Sequence, residues 1–117
     1  MKYLTLITLL IISIAVYSQE KIKTDTLNQF VNNLEQGYWI HKNSDNIILS
    51  EGYYIEGAKI GTWKEYSLDI PKTVYKGVYD NGLREGDWYL ISTVDGTKIA
   101  VQKHNKGIRV GYATFFW

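Results

Sequence analysis

The chain has no cysteine, a single proline (Pro71) and only two histidines, His41 and His104, among its 117 residues. Without cysteine there is no disulfide staple, no thiolate nucleophile and no lipid attachment at a cysteine, so packing alone must hold the fold. Charge of one sign is also missing, with 13 basic side chains against 12 acidic ones and a net charge of +1. That balance supplies no bulk field for nucleic acid or an anionic membrane, and neither is expected as a partner. No Gly-x-Ser-x-Gly elbow backs a nucleophile–base pair, so both histidines read as strand or surface residues and no catalytic residue is assigned. Asp80-Asn81-Gly82 with Glu85 and Asp87 lacks the alternating Asp/Asn spacing of a calcium loop and reads as a hairpin turn. Neither a metal nor a cofactor is expected. Glu51, Glu56 and Glu65 alternate with Lys59, Lys64 and Lys76, as solvated strand faces do, which argues against a glycosidase pair.

Long apolar runs are equally scarce. The one example, Leu4–Val16, spans 13 residues behind the basic Lys2, short of the ~20 that a membrane-spanning helix needs. With Val16 and Ser18 at the −3 and −1 positions, it reads as a secretory signal peptide cleaved after Ser18. Residues 1–18 carry Lys2 as their only charge, so cleavage leaves 99 residues with 12 basic and 12 acidic side chains. The mature chain is then an exported single domain, periplasmic or secreted, without a transmembrane segment. A chain of that size can bury roughly 60–65% of its unfolded surface. Its core material is aromatic, with 4 Trp, 10 Tyr and 3 Phe in the whole sequence.

What the sequence does have is a pattern written twice. Gly52, Tyr54, Gly57, Gly61 and Trp63 recur as Gly77, Tyr79, Gly82, Gly86 and Trp88, each 25 residues on. A third step of 25 reaches Gln102, His104, Gly107, Gly111 and Ala113, keeping two glycines and losing the Trp. Backwards, Gly37-Tyr38-Trp39 matches Gly61-Thr62-Trp63 at an offset of 24. This gives a half unit, two full units and a degenerate terminal unit, the atypical ends expected of a stacked array.

Before the repeats, Leu27, Phe30, Val31 and Leu34 fall at the i, i+3, i+4, i+7 spacing of an amphipathic helix. The spacing predicts one helix over Asp25–Gln36, with Thr24 or Asp25 as cap and Gly37 at its end. Residues 19–36 thus form a helical N-terminal segment and 37–117 the repeat domain. From Gly37 the period changes to about 2, giving strands over Tyr38–Lys42, Ile47–Glu56, Thr62–Leu68, Lys72–Asp80, Asp87–Ser92, Lys98–Asn105 and Gly111–Trp117. Short connections, among them Gly57–Gly61 and Asn81–Gly86, make neighbouring strands antiparallel. The fold class is mainly β: a meander of hairpins in an elongated, twisted single sheet, with one N-terminal helix.

Gly57 and Gly82 suit turns that need positive φ. Gly52 and Gly77 lie inside strands, where glycine weakens pairing unless a cross-strand aromatic covers the bare backbone; Trp63 and Trp88 are the covers. Trp39, Trp63 and Trp88 serve either as core or, if exposed, as a flat binding surface for sugar rings or a protein.

The G-x-Y-x2-G-x3-G-x-W pattern resembles the bacterial variant repeats of the MORN-repeat family, over Gly37 to about Tyr112. The resemblance implies a row of β-hairpins acting as a non-catalytic scaffold that binds another protein or a cell-envelope polymer. One bacterial branch that it resembles is catalogued as YwqK-type antitoxins. A glycan-binding module or carbohydrate-active enzyme using the Trp/Tyr ladder is the alternative from another class.

Overall fold

The computed structural model describes residues 26–116. They form eight strands: β1 (Gln29–Val31), β2 (Leu34–Lys42), β3 (Ile48–Ile55), β4 (Ala58–Tyr66), β5 (Thr73–Asp80), β6 (Leu83–Ser92), β7 (Lys98–Asn105) and β8 (Ile108–Phe115). All are antiparallel, and they pair in chain order within one open sheet. The leader expected over residues 1–18, like the rest of the chain before Thr26, lies outside the described residues.

Two kinds of connection alternate. Within each hairpin the loop is two residues long: Asn32-Asn33, Glu56-Gly57, Asn81-Gly82 and Lys106-Gly107, all with positive φ. Positive φ at both central positions defines the type I′ turn, whose twist matches that of the flanking strands. Between hairpins, at the opposite end of the sheet, the loops are longer. Asn43–Ile47 is tied by the Asn43 side-chain oxygen to the amides of Asp45 and Ile47, and Ser67–Lys72 carries the lone proline.

The predicted helix is corrected. Among the described residues there is no helix, and Leu27, Phe30, Val31 and Leu34 belong to the first hairpin instead. The reason lies in the asparagines. Asn28, Asn32 and Asn33 all adopt positive φ, which asparagine tolerates better than most side chains and which no helix interior allows. At an offset of 24, Asn28, Phe30, Asn33, Gly37 and Trp39 stand where Gly52, Tyr54, Gly57, Gly61 and Trp63 stand in the next hairpin. The half unit is a whole one, and the sheet starts at Gln29 rather than Gly37.

A second correction concerns the turns. Gly61, Gly86 and Gly111 sit inside β4, β6 and β8, not in the loops. Pairing jumps there: between Glu51↔Lys64 and Tyr53↔Ile60, Gly52 alone faces the three residues Gly61–Trp63. The same jump recurs with Gly77 facing Gly86–Trp88 and Gln102 facing Gly111–Ala113. Each of these three hairpins thus carries a β-bulge, and in the two that keep the Trp its positive-φ glycine re-aims the Trp two residues on, laying its ring across the opposite strand. A Cβ on Gly52 would run into the ring of Trp63, and one on Gly77 into Trp88. That is the physical need for the strand glycines.

Candidate functional site

The bulges send every repeat aromatic to one face. There the rings form an unbroken edge-to-face ladder, Phe30–Trp39–Tyr54–Trp63–Tyr79–Trp88–His104. Successive centroids are 4.9, 5.8, 5.0, 5.9, 5.1 and 6.2 Å apart and interplanar angles run between 71 and 83°. This is the geometry that ring quadrupoles favour. Each Trp Nε1–H donates across the hairpin to a backbone carbonyl: Trp39 to Gln29 (3.1 Å), Trp63 to Tyr53 (3.0 Å) and Trp88 to Val78 (3.2 Å). Trp63 is fully buried, Trp88 is 2% exposed and Trp39 9%. The three rings named as a possible binding surface therefore present no flat platform. They are the core of a sheet that, among the described residues, has no second layer.

Across the first three hairpins, polar groups on this face pair with one another. His41 stacks on Trp39 and Trp63, and its Nε2 lies 2.9 Å from the Tyr54 hydroxyl. Burial, and next the Lys59 ammonium, push the His41 pKa down, keeping the ring neutral at pH 7. Glu65 accepts from the Tyr79 hydroxyl at 2.8 Å and takes both of its oxygens to Arg84 at 3.0 and 2.9 Å. Arg84 in turn lies over the Trp88 ring at 4.4 Å. One hairpin earlier, Lys59 holds the same place, 4.6 Å from the Trp63 centroid and 4.9 Å from that of Tyr79. The second and third hairpins thus each seat a cation on their own Trp.

Glu51 and Glu65 stand on opposite faces, because Glu65 registers with Ser50 on β3. Glu51 accepts from the Tyr38 hydroxyl at 2.7 Å, and burial followed by this bond pushes Tyr38 up to about 12. Glu56 is in a turn. The carboxylates considered as a glycosidase pair do not converge.

The fourth hairpin departs from the other three in a coordinated way. Gln102 replaces the strand glycine and Ala113 replaces the Trp. The Gln102 side-chain amide donates to Lys103 and Val110 carbonyls, each at 3.2 Å. Those two positions match Tyr53 and Ile60, the carbonyls that receive the Trp63 indole N–H. The exchange satisfies the backbone while removing the ring. In its place is a cavity of about 200 Å³ walled by Tyr75, Trp88, Leu90, Ala100 and Phe115, with Ile70 from the β4–β5 loop at its edge. Its polar lining is Arg84, Gln102, His104 and Arg109, without a carboxylate.

His104 stands where Tyr54 and Tyr79 stand in the earlier units. It is 4% exposed, and its Nδ1 is buried with no protein partner. Burial lowers its pKa first, with the Arg84 and Arg109 charges acting in the same direction. Sequence reasoning reached Gln102, His104 and Ala113 by the 25-residue step but read them as decay. The signal missed was that Gly→Gln and Trp→Ala occur together, at the two positions that touch in the second and third hairpins.

On the opposite face lie Tyr38, Tyr53, Ile55, Ile60, Val78 and Val110, beside Glu51, Lys64, Lys76 and Lys103. Tyr53 is 53% exposed and packs edge-on against Tyr38 at 4.9 Å. Of the other repeat positions, Gly57, Gly82 and Gly107 close the turns, and each turn's amide donates to the preceding hairpin, at Glu35, Lys59 and Arg84 carbonyls. Among the described residues no group of three or more His, Asp or Glu side chains could hold a metal ion, and no helix is long and apolar enough to cross a membrane. No known family model, curated protein or solved structure matches the chain.

Proposed function

We propose that this chain is an exported, non-catalytic repeat module of the MORN-variant type that binds a protein or envelope polymer through its sheet. The carrying observation is the second face. Among the described residues no second layer covers it, and Tyr53, Ile55 and Val78 are about half exposed among charges of both signs. Mixed apolar and charged rows of this kind match the anatomy of a protein interface better than a glycan platform. Burial of Trp39, Trp63 and Trp88 takes away the surface on which the glycan-binding alternative rested. The antitoxin role fits poorly with export, since a cytoplasmic toxin would be out of reach.

Co-sedimentation with isolated cell envelopes tests this reading. The chain should pellet with the envelopes, whereas a Tyr53→Lys, Val78→Lys variant with unchanged strand signal should stay in the supernatant. Protease treatment of the envelopes separates a protein partner from a polymer. Equal pelleting of the variant, or no pelleting of the parent chain, overturns the proposal.

A further inference from the structure

The cavity in the fourth hairpin lies on the Trp face, away from the surface invoked above, and its argument is independent of that reading. The chain supplies its own template. In the second and third hairpins a cation lies over a Trp ring, Lys59 on Trp63 and Arg84 on Trp88. Arg109 holds the same position in the fourth, but Ala113 offers it no ring. The Gln102 side chain fills the strand-glycine position and takes the indole N–H acceptors, and the cavity lies beside it. The remaining volume, about 200 Å³, exceeds the ~150 Å³ of an engineered apolar cavity that accepts benzene.

From these features we infer that the fourth hairpin is a binding pocket for one flat aromatic ring carrying a carboxylate. The ring lies in this cavity alongside the Gln102 side chain, against Trp88 and His104 and beneath the Arg109 guanidinium, supplying the cation–ring pair that Lys59 and Arg84 make in the second and third hairpins. The carboxylate is called for by the lining: two arginines, an unpartnered buried His104 Nδ1 and no acidic group. Arg84 is already committed to Glu65, so Arg109 is the cation left for the ligand. A neutral imidazole can place its N–H on Nδ1, and a carboxylate is the acceptor that would satisfy it. An apolar wall with few convergent polar groups is the usual constitution of a small-molecule site.

The same chemistry comes from two sources, a free aromatic acid or the aromatic C-terminal residue of a peptide. Chemical-shift titration of the full chain, read on the His104 ring and the Gln102 side-chain amide, tests both. The probes are indole-3-acetate, indole, acetate and the peptide Gly-Gly-Trp with a free carboxylate. Indole-3-acetate should bind with a Kd of about 1 mM or tighter, as suits a ligand this small. Indole alone should bind about tenfold more weakly, having lost a charge-assisted bond, and acetate should not compete. Whichever of the free acid and the peptide binds more tightly identifies the source.

Arg109→Gln, on an exposed position, should fold normally and erase the preference for indole-3-acetate over indole. Gln102→Gly combined with Ala113→Trp rebuilds the pattern of the third hairpin, and should stabilise the chain while abolishing binding. The inference is overturned if neither acid shifts these resonances. It is equally overturned if the refilled variant binds undiminished, or if Arg109→Gln leaves the selectivity intact.

Discussion

At the scale of single residues, the buried indoles hold the fold and the two histidines tune it. Trp63 touches Gly52, Tyr54, Tyr79, Lys59 and His41 and exposes nothing, so Trp63→Ala should cost ~3–5 kcal/mol. Trp88→Ala should cost a similar amount and also unseat Arg84. Denaturant midpoints check both, and a loss below about 1 kcal/mol would show that the rings are not the core. The histidines predict the response to acid. Both have folded pKa values below the ordinary 6.5, so the unfolded chain binds protons first as pH falls. Their contribution is complete above 6.5 and is lost as pH drops from 6.5 towards the folded values. His41 is faced by Lys59 and Glu35, and His104 by Arg84, Arg109 and Glu65. A His41→Phe, His104→Tyr variant should therefore lose less stability than the parent between about pH 7 and pH 5. An equal loss would assign the whole effect to carboxylates. Tyr38 has the opposite sign: its folded pKa is raised to about 12, so its share holds below 10.0 and fades as pH rises towards 12.

At the scale of the hairpin, two glycines with different jobs separate experimentally. Gly86 has positive φ and open space around its Cβ position, so Gly86→Ala should cost only the backbone term, ~1–2 kcal/mol. Gly77→Ala should cost more, because its methyl group meets the Trp88 ring and the indole must leave its seat. The reverse order in chemical denaturation would refute the account of the bulge. These jobs were half legible. A 25-residue period and the Gly/Trp pairing announced hairpins with a Trp over a strand glycine, and both are present at Gly52–Trp63 and Gly77–Trp88. Hidden was the bulge, since Gly-x3-Gly reads as one long turn until the pairing shows the second glycine inside a strand. Hidden too was the first hairpin. Its turn is Asn-Asn and its strand glycine is Asn28, so only Gly37 and Trp39 kept the pattern. Its apolar residues at 27, 30, 31 and 34 matched a helical stripe by coincidence of spacing. Local periodicity over eight residues was outweighed by asparagines that suit positive φ and by a neighbouring hairpin on which to stack.

At the scale of the whole sheet, each strand pairs only with its sequence neighbours, so stability must accumulate hairpin by hairpin. Successive hairpins are joined by strand pairing, β2 with β3, β4 with β5 and β6 with β7, and each turn amide adds one bond to the hairpin before, Gly57 to Glu35, Gly82 to Lys59 and Gly107 to Arg84. The aromatic ladder crosses the same boundaries on one face. Damage at one end should then stay at that end. Trp39 is where this is cleanest: it joins Phe30 to Tyr54 and sits beside Gly52 in the register of β2 with β3. In Trp39→Ala, β1 loses the indole bond to the Gln29 carbonyl together with the ring that Phe30 packs on. Native-state hydrogen exchange should show amides of β1 and β2 losing protection by a factor of ten or more, which corresponds to at least ~1.4 kcal/mol. Amides of β5, β6 and β7, beyond the intact Trp63–Tyr79–Trp88 run, should keep the protection of the parent chain. Uniform loss across all eight strands would mean that the sheet unfolds as one unit and that the ladder transmits rather than confines the defect. The confined outcome is expected because strand pairing joins β1 and β2 only to each other and to β3, and beyond β3 the side chain of His41 reaches only as far as Trp63 on β4.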